Sequence, residues 1–336
     1  MVPFELVPAG TNIDFIGKRR IAATVSIGLL LAAAIAVPLL GVRLGIDFAG
    51  GTEIQVRFAS EVAATEGHIR EVVAGCGVAD ASVVRFGGAE EFLIKFPAAT
   101  EELVDGALAS DTCPLGRADR QALEEFRGGR PEDADVTGQI VNVLSHALEN
   151  SVGPLKVDRV EFVGPRVGDE LRRDGINALL IAGVLILFYV AFRFSTRFAP
   201  GAIVALVHDV GITAGIFVIL GLEFDLKVLA ALLAIIGYSL NDTIIIYDRI
   251  RENMELRTKH DLEDVLNRSV NQTLSRTVLT SGTTMAAVLA LLFVGGPVLR
   301  PFALAMTIGI VVGTYSSIYI ASPTLLWLEK RFGGSS

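Results

Sequence analysis

Ionisable side chains interrupt three of the long apolar segments of this chain. Asp242 follows a run of Ala, Leu and Ile, and Arg276 stands near the start of a later run. His208 and Asp209 are neighbours inside an earlier one. A charge near the centre of a bilayer costs about 2.5–3.5 kcal/mol on insertion scales, so such residues usually face protein or a water-filled path and pair with each other. Proton transfer across a membrane is the chemistry that they could support.

Asp242 and Arg276 are predicted to lie at similar depth. Asp242 is placed about 21 Å along a helix that begins at Val228, at about 1.5 Å per residue, and Arg276 enters the membrane from the same side. A carboxyl changes both its charge and its hydrogen-bonding role when it takes up a proton. Asp242 could therefore alternate between meeting and leaving Arg276 as it loads and releases a proton. A static pair, with Arg276 reaching back to the interface, is the alternative.

His208 and Asp209 allow two interpretations. Adjacent residues point about 100° apart on a helix, so we expect that they do not both face one partner. A role in the proton pathway and a role in packing or hydrogen bonding both remain open. The polar residues beside Asp242 are further candidates for the proton pathway or for helix contacts: Ser239, Asn241 and Thr243.

The composition explains what must position these side chains. Of 336 residues 51% are hydrophobic, and the mean hydropathy is +0.55. A bilayer core needs about 20 apolar residues per helix. Six segments qualify or come close, and we predict transmembrane helices at residues 21–42, 176–192, 199–222, 228–247, 274–294 and 301–328. The first resembles a signal peptide in its basic start, but its apolar stretch is too long for one, which favours an uncleaved span.

The basic residues of the short loops predict the orientation. With six spans, four clusters of basic residues fall on the same side of the membrane, and the positive-inside rule makes this side cytoplasmic. The clusters are Lys18, Arg19 and Arg20; Arg193 and Arg197; Arg249, Arg251, Arg257, Lys259 and Arg268; and Lys330 and Arg331. Residues 1–20 and 329–336 are then cytoplasmic termini, and 248–273 is a cytoplasmic loop. Within that loop, Leu262, Val265 and Leu266 predict a short amphipathic run on the membrane surface.

Residues 43–175 are predicted to form an extracytoplasmic domain. Their patterns run strand (52–58), helix (66–74), two strands joined by a glycine turn (81–86 and 91–96), helix (137–148) and strand (156–163). This β-α-β-β-α-β order is typical of a ferredoxin-like α+β fold. Residues 100–135 do not fit it, and we interpret them as an insertion with one or two short helices.

Several classes of site are disfavoured. Residues 43–173 hold 14 Lys and Arg against 23 Asp and Glu, a net charge of −9, which argues against nucleic-acid binding. Two Cys and four dispersed His make a zinc site improbable, and we expect neither a metal nor a cofactor. Cys76 and Cys113 could pair outside the cytoplasm, but one pair gives no framework, so two unrelated thiols are the favoured interpretation.

Small residues recur every four positions on two of the predicted spans. They are Gly211 and Gly215 on the third, and Gly309, Gly313, Ser317 and Ala321 on the last. Such stripes let helices approach closely. We favour tight packing over sliding surfaces.

Five segments together resemble the SecF family of membrane subunits that assist bacterial protein export. They are GIDFAGGT (45–52), VGPRVGDEL (163–171), GYSLNDTIIIYDRIREN (237–253), TLSRTVLTS (273–281) and GTYSSIYIASP (313–323). The match covers nearly the whole chain in order, and GIDFAGGT favours SecF over its paralogue SecD.

The resemblance implies a fold, partners and a mechanism. The fold is half of an RND-type transporter, an all-α bundle of six membrane helices with one ferredoxin-like periplasmic domain. The partners are SecD as a separate chain, the SecYEG channel, unfolded exported polypeptide, protons and membrane lipid of the inner membrane. The mechanism is not enzymatic: protons move through a path that includes Asp242 and Arg276, and this helps to draw polypeptide outward. An RND-type exporter of small molecules or lipids, and a scaffold without coupling, are the alternatives.

Overall fold

The computed structural model describes residue 8 and residues 11–128, 136–194, 197–256 and 261–332. It divides into two compact units. Residues Leu44–Asp174 form one, and the segments up to Arg43 and from Gly175 onward form the other. Parts of both predicted cytoplasmic termini lie outside the described residues, as do residues 257–260 of the predicted cytoplasmic loop.

The first long helix of the chain is the first predicted membrane span. A short 3₁₀ turn at Ile16–Lys18 leads into α1, Arg19–Leu40. The turn is tied to a distant part of the chain, since the backbone N–H groups of Phe15 and Ile16 both donate to Asn267 Oδ1, at 2.8 and 3.3 Å.

The Leu44–Asp174 unit has the predicted ferredoxin-like topology. Its four strands are β1 (Gly51–Phe58), β2 (Ser82–Arg85), β3 (Glu91–Phe96) and β4 (Leu155–Val163). They form an antiparallel sheet in the order β2-β3-β1-β4. Alternate residues of β1 and β3, such as Ile54 and Ile94, point into a core shared with helix residues such as Ile69 and Leu144. Its elements are α2 (Ile46–Ala49), β1 (Gly51–Phe58), α3 (Glu66–Gly75), β2 (Ser82–Arg85), β3 (Glu91–Phe96), α4 (Glu101–Ala109), α5 (Arg117–Gly128), α6 (Val136–Ser151) and β4 (Leu155–Val163).

The insertion contains the short helices α4 and α5, as predicted, and residues 129–135 lie outside the described part. The expectation of two unrelated thiols is wrong, because Cys76 and Cys113 form a disulfide. Cys76 ends α3 and Cys113 lies between α4 and α5, so the bond ties the insertion to the core. Hydroxyls reinforce the junction: those of Ser110 and Thr112 both donate to the Gly75 carbonyl, at 2.9 and 2.7 Å.

The rest of the chain is helical. Within the described residues, six helical segments are long and apolar enough to cross a membrane: α1, Pro165–Phe194, Ala199–Ile219, Leu226–Glu255, Leu262–Val294 and Arg300–Arg331. The chain is thus a multi-pass membrane protein with a six-helix unit and a ferredoxin-like unit, the fold class that the sequence predicted. The later elements are α7 (Pro165–Phe194), α8 (Ala199–Ile219), α9 (Leu226–Glu255), α10 (Leu262–Val294), α11 (Arg300–Ser316), a π-helical turn (Ser317–Ala321) and α12 (Ser322–Phe332).

The predicted amphipathic surface run is the first part of α10 instead. Val265 and Leu266 are buried, and Leu266 lies in a core cluster that also includes Phe15, Ile16 and Ile250. Leu266 therefore packs against the turn before α1 and the end of α9, and does not lie on a membrane surface.

Small residues let the membrane helices approach closely, as we interpreted the stripes. A Cβ added at Gly309 would overlap Ile235 of α9, and one added at Gly215 would overlap Ala33 of α1. A Cβ at Gly313 would stand 3.0 Å from the Cβ of Ser239. These contacts bring α9 and α11 together where the buried polar side chains lie.

Candidate functional site

Asp242 is enclosed within the six-helix unit. Helix α9 begins at a cap in which the Asp225 carboxylate accepts from the Val228 N–H at 2.8 Å, and it continues unbroken past Asp242. The residue is 1% exposed. Its Oδ2 accepts a hydrogen bond from Ser281 Oγ at 3.3 Å, while its Oδ1 has no hydrogen-bond partner among the described residues.

The surroundings of Asp242 leave further polar atoms unsatisfied. Tyr238 lies one turn earlier on α9, and Thr277 lies one turn before Ser281 on α10. Both hydroxyls are buried and lack a hydrogen-bond partner within the described part of the chain. Unpaired buried polar atoms are uncommon in folded proteins and mark places where water, an ion or a functional change is accommodated.

Arg276 is not paired with Asp242 in this arrangement. No ion pair within 4 Å joins the two among the described residues, and Arg276 is exposed. Its side chain lines a cavity of about 410 Å³ to which Asp248 and Glu252 also contribute. The structure therefore holds the two residues apart, one of the two arrangements that the sequence left open.

Ser281 extends the contacts of Asp242 to a third helix. Its Oγ lies 2.8 Å from Thr314 Oγ1 on α11, and both residues line a cavity of about 360 Å³. Other hydroxyls of α10 behave differently, since Thr280, Thr283 and Thr284 donate to carbonyls of their own helix. Only Ser281 of this group reaches the carboxylate.

Asp209 lies in a different setting and is fully hydrogen-bonded. Its Oδ2 accepts from Ser239 Oγ and from Ser316 Oγ, the latter at 2.7 Å. Its Oδ1 lies 2.8 Å from His208 Nδ1. The contacts join α8, α9 and α11 at one buried point.

The contacts continue from His208 to α1. His208 Nε2 lies 3.0 Å from Ser26 Oγ, Ser26 Oγ lies 3.0 Å from the Tyr315 hydroxyl, and that hydroxyl donates to the Ala22 carbonyl at 2.9 Å. Tyr315 and Ser26 each have one hydroxyl proton. All three bonds are satisfied together only if Nε2 carries a hydrogen and donates to Ser26, so that Ser26 donates to Tyr315. The proton between His208 and Asp209 then lies on either Nδ1 or Oδ1.

The expectation that His208 and Asp209 do not both face one partner agrees with their outer contacts, because His208 reaches Ser26 and Asp209 accepts from Ser239 and Ser316. Their direct contact with each other was not expected. Although their Cα–Cβ bonds diverge, the imidazole turns back so that Nδ1 meets the neighbouring carboxylate.

The polar residues beside Asp242 lie in different settings. Ser239 contacts Asp209 and not Asp242. Asn241 is exposed and Thr243 is buried.

Sequence reasoning missed the residues that complete both clusters: Ser26, Thr314, Tyr315 and Ser316. The segment GTYSSIYIASP carried three of them at the end of α11, and a π-helical turn begins directly after Ser316. Such turns are rare and often lie at functional sites. The described residues contain no group of three or more His, Cys, Asp and Glu side chains that could hold a metal.

Comparisons with known proteins identify the family of this chain. The family described as protein export membrane protein SecD/SecF, C-terminal, matches residues 143–331, and the SecD/SecF GG motif matches residues 35–62. The chain belongs to the SecD/SecF family. Within that family its relatives are SecF subunits. The protein translocase subunit SecF of Calditerrivibrio nitroreducens is 42% identical over 97% of both chains, and that of Vibrio alginolyticus is 39% identical over 97% of this chain and 92% of the relative.

A solved structure shares the fold. SecDF of Thermus thermophilus, described as a translocon-associated membrane protein, superposes with a TM-score of 0.74 at 38% identity. The match covers 98% of this chain but 40% of that one. This SecD/SecF-family chain therefore spans well under half of the longer SecDF polypeptide, whereas it spans nearly all of its SecF relatives.

Proposed function

We propose that this chain is the SecF-type subunit of a protein-export complex in the bacterial inner membrane, where proton flow assists the outward movement of exported polypeptide. The observation that carries the proposal is the contrast between two buried carboxyls. Among the described residues, Asp209 is bound by three side chains through both oxygens, whereas Asp242 is bound by one hydroxyl and one of its oxygens has no partner.

The contrast supports different roles for the two groups. The bonds to Asp209 link three helices, so the His208–Asp209 pair serves as a fixed helix contact. Asp242 has room for a change of partner, because a buried charge needs a compensating partner and none of the described residues supplies an ion pair to it in this arrangement. Its charge state is then coupled to the approach of Arg276.

A cycle follows from this coupling. With Arg276 withdrawn, as here, Asp242 carries a proton. When the proton leaves, the carboxylate draws Arg276 inward, and α9 and α10 shift against each other. Ser281 and Thr314 offer a hydroxyl route between Asp242 and the cavity that both line. The resulting helix movement is the element that would be transmitted to the ferredoxin-like domain.

The proposed orientation places both termini in the cytoplasm and the Leu44–Asp174 unit in the periplasm. The basic residues of alternate loops support it, as does the Cys76–Cys113 bond, because disulfides persist in oxidising compartments. A reporter fused after residue 120 tests this placement. A reporter enzyme that is active only in the periplasm should be active when fused after residue 120. Activity of a reporter that works only in the cytoplasm at the same position would show that the orientation is the reverse.

The proposed partners are a SecD-type chain and the SecYEG channel, with unfolded polypeptide as the substrate. The SecDF structure supports the first, because its chain contains, besides the part that this chain matches, a larger remainder. Membrane lipid surrounds the six-helix unit, and protons are the transported ions.

Export in cells lacking the native subunit tests the proposal. Asp242→Asn should abolish the gain in export that the intact chain provides, and Asp242→Glu should retain part of it. Glu255→Gln is the matched control, since it removes a carboxylate from the same helix at a position that is exposed and pairs with Arg251 at 3.9 Å. If Asp242→Asn restored export as well as Glu255→Gln at equal protein levels, Asp242 would have no role in coupling.

A further inference from the structure

An open groove lies on the face of the six-helix unit formed by α1, α8 and α12. Its volume is about 710 Å³. Most of its lining is apolar, including Ile27, Leu30, Val204 and Val207, and both valines are well exposed. A concave apolar surface of this size, open on one side within a membrane-crossing unit, is available to a bilayer component.

One end of the groove is cationic. Arg19 and Arg20 from the start of α1 and Lys330 from near the end of α12 line it. Glu263 accepts from Arg19 at 2.9 Å and from Lys330 at 2.5 Å, so it offsets one of the three charges. Arg20 has no ion pair among the described residues, which leaves an excess of two positive charges at this end.

The depth of the groove matches one leaflet. Ten residues of α1 separate Arg20 from Leu30, a rise of about 15 Å, and the hydrocarbon core of a bilayer is about 30 Å thick. The cations therefore lie at headgroup level while the apolar wall reaches towards the midplane. Ser26 and His208 line the wall, so an occupant would shield the buried hydrogen-bond chain that these two residues form.

We propose that this groove binds an anionic phospholipid, with its phosphate headgroup against Arg20 and Lys330 and an acyl chain along Ile27, Leu30, Val204 and Val207. The excess of positive charge selects an anionic headgroup over a zwitterionic one. The apolar length selects a lipid over free phosphate, which would gain nothing from the wall. The proposal does not depend on proton coupling.

Trp327 provides an intrinsic reporter of occupancy. It is the only tryptophan of the chain, it lines the groove, and it lies about 4.5 Å along α12 from Lys330. The full-length protein is reconstituted in phosphatidylcholine vesicles that contain increasing fractions of phosphatidylglycerol brominated high on one acyl chain. Vesicles with brominated phosphatidylcholine serve as the comparison, and Trp327 fluorescence is measured.

Brominated phosphatidylglycerol should quench Trp327 at mole fractions where brominated phosphatidylcholine does not. Arg20→Gln should raise the fraction needed for half-maximal quenching about fivefold, the contribution of one basic residue near an anionic surface. Lys18→Gln is the charge-matched control, because Lys18 lies on the same side but does not line the groove, and it should change this fraction little. Val207→Phe should reduce the preference for phosphatidylglycerol, whereas Val25→Phe, on the exposed surface of α1, should not.

Equal quenching by the two lipids, or equal effects of Arg20→Gln and Lys18→Gln, would overturn the proposal, because both indicate general surface attraction. Loss of the preference on reconstitution with a SecD-type chain would also overturn it, and would assign the groove to a protein partner.

Discussion

The Cys76–Cys113 bond should contribute strongly to the stability of the ferredoxin-like unit. The two residues are 37 positions apart. In the chain-entropy description, closing a loop of this length lowers the entropy of the unfolded chain enough to stabilise the native state by about 3.8 kcal/mol at 25 °C. Domains are stable by about 5–15 kcal/mol, so the unit should remain folded without the bond but open far more often.

Hydrogen–deuterium exchange in the purified full-length protein measures this opening. The amide of Ile94 is a suitable probe, because β3 is hydrogen-bonded on both sides, to β1 and to β2. A loss of about 3.8 kcal/mol corresponds to about 500-fold faster exchange of core amides that require global opening of the unit. Cys76→Ala combined with Cys113→Ala should show this increase.

Reduction of the wild-type bond separates the cross-link from packing. Both sulfur atoms are buried and remain in place after reduction, so only the covalent closure is lost. The amides of α8 and α9 should exchange as before. Unchanged exchange at Ile94 after complete reduction would refute the reasoning, because it would show that the loop is already closed in the unfolded state or that the Ser110 and Thr112 contacts alone hold the insertion.

Three further predictions concern other parts of the chain. Gly309→Ala should destabilise the six-helix unit by about 1–3 kcal/mol through overpacking. Gly237→Ala, where a Cβ meets open space, should not destabilise it. Equal denaturant midpoints for these two variants would contradict the prediction. Asp209→Ala should destabilise the same unit by about 1–3 kcal/mol, because it removes the acceptor of the buried Ser239 and Ser316 hydroxyls and the partner of His208. An unchanged midpoint would argue against the fixed-contact role. Hydrogen bonds from Asn150 and from the Gly116 N–H, with a smaller effect of His146, lower the pKa of Asp119 in the ferredoxin-like unit. The ionised carboxylate therefore stabilises the folded unit, by at most about 1 kcal/mol for so exposed a group. This stabilisation is present above the unfolded pKa of about 3.9 and is lost as the pH falls through the folded pKa. The difference in thermal midpoint between Asp119→Asn and wild type should therefore be larger at pH 7 than at pH 3, and a difference that does not depend on pH would contradict it.

The fold was largely predictable because its signals are local. Apolar length specifies membrane helices, and the β-α-β-β-α-β order, with alternation in runs such as Thr52–Phe58, specifies the sheet. The disulfide was not predictable, since pairing depends on how the insertion folds back on α3. Likewise, the first turns of α10 were misplaced because their apolar face could equally meet lipid or the protein, and Phe15 and Ile16 decide the matter from 250 residues away.

The candidate site was predictable as a set of residues more than as a set of contacts. Burial of Asp242 follows from its apolar neighbours, but its distance from Arg276 depends on the rotation of α10 relative to α9. The Asp209 cluster illustrates a second limit. Residue direction on a helix indicates that His208 and Asp209 diverge, yet a side chain with a rotatable ring can return to its neighbour. The contact of Ser316 with Asp209 depends on how α11 packs against α8, which the sequence does not specify.

If Asp242 couples proton movement to export, the response of translocation to a proton gradient should depend on this residue. Inverted vesicles containing the chain, a SecD-type partner and the SecYEG channel are loaded with a partly translocated polypeptide, and completion of translocation is timed with and without an imposed proton gradient. The gradient should accelerate completion with the wild-type chain and with Glu255→Gln, and should have no effect with Asp242→Asn. Equal acceleration of the Asp242→Asn vesicles would show that Asp242 does not couple the two processes.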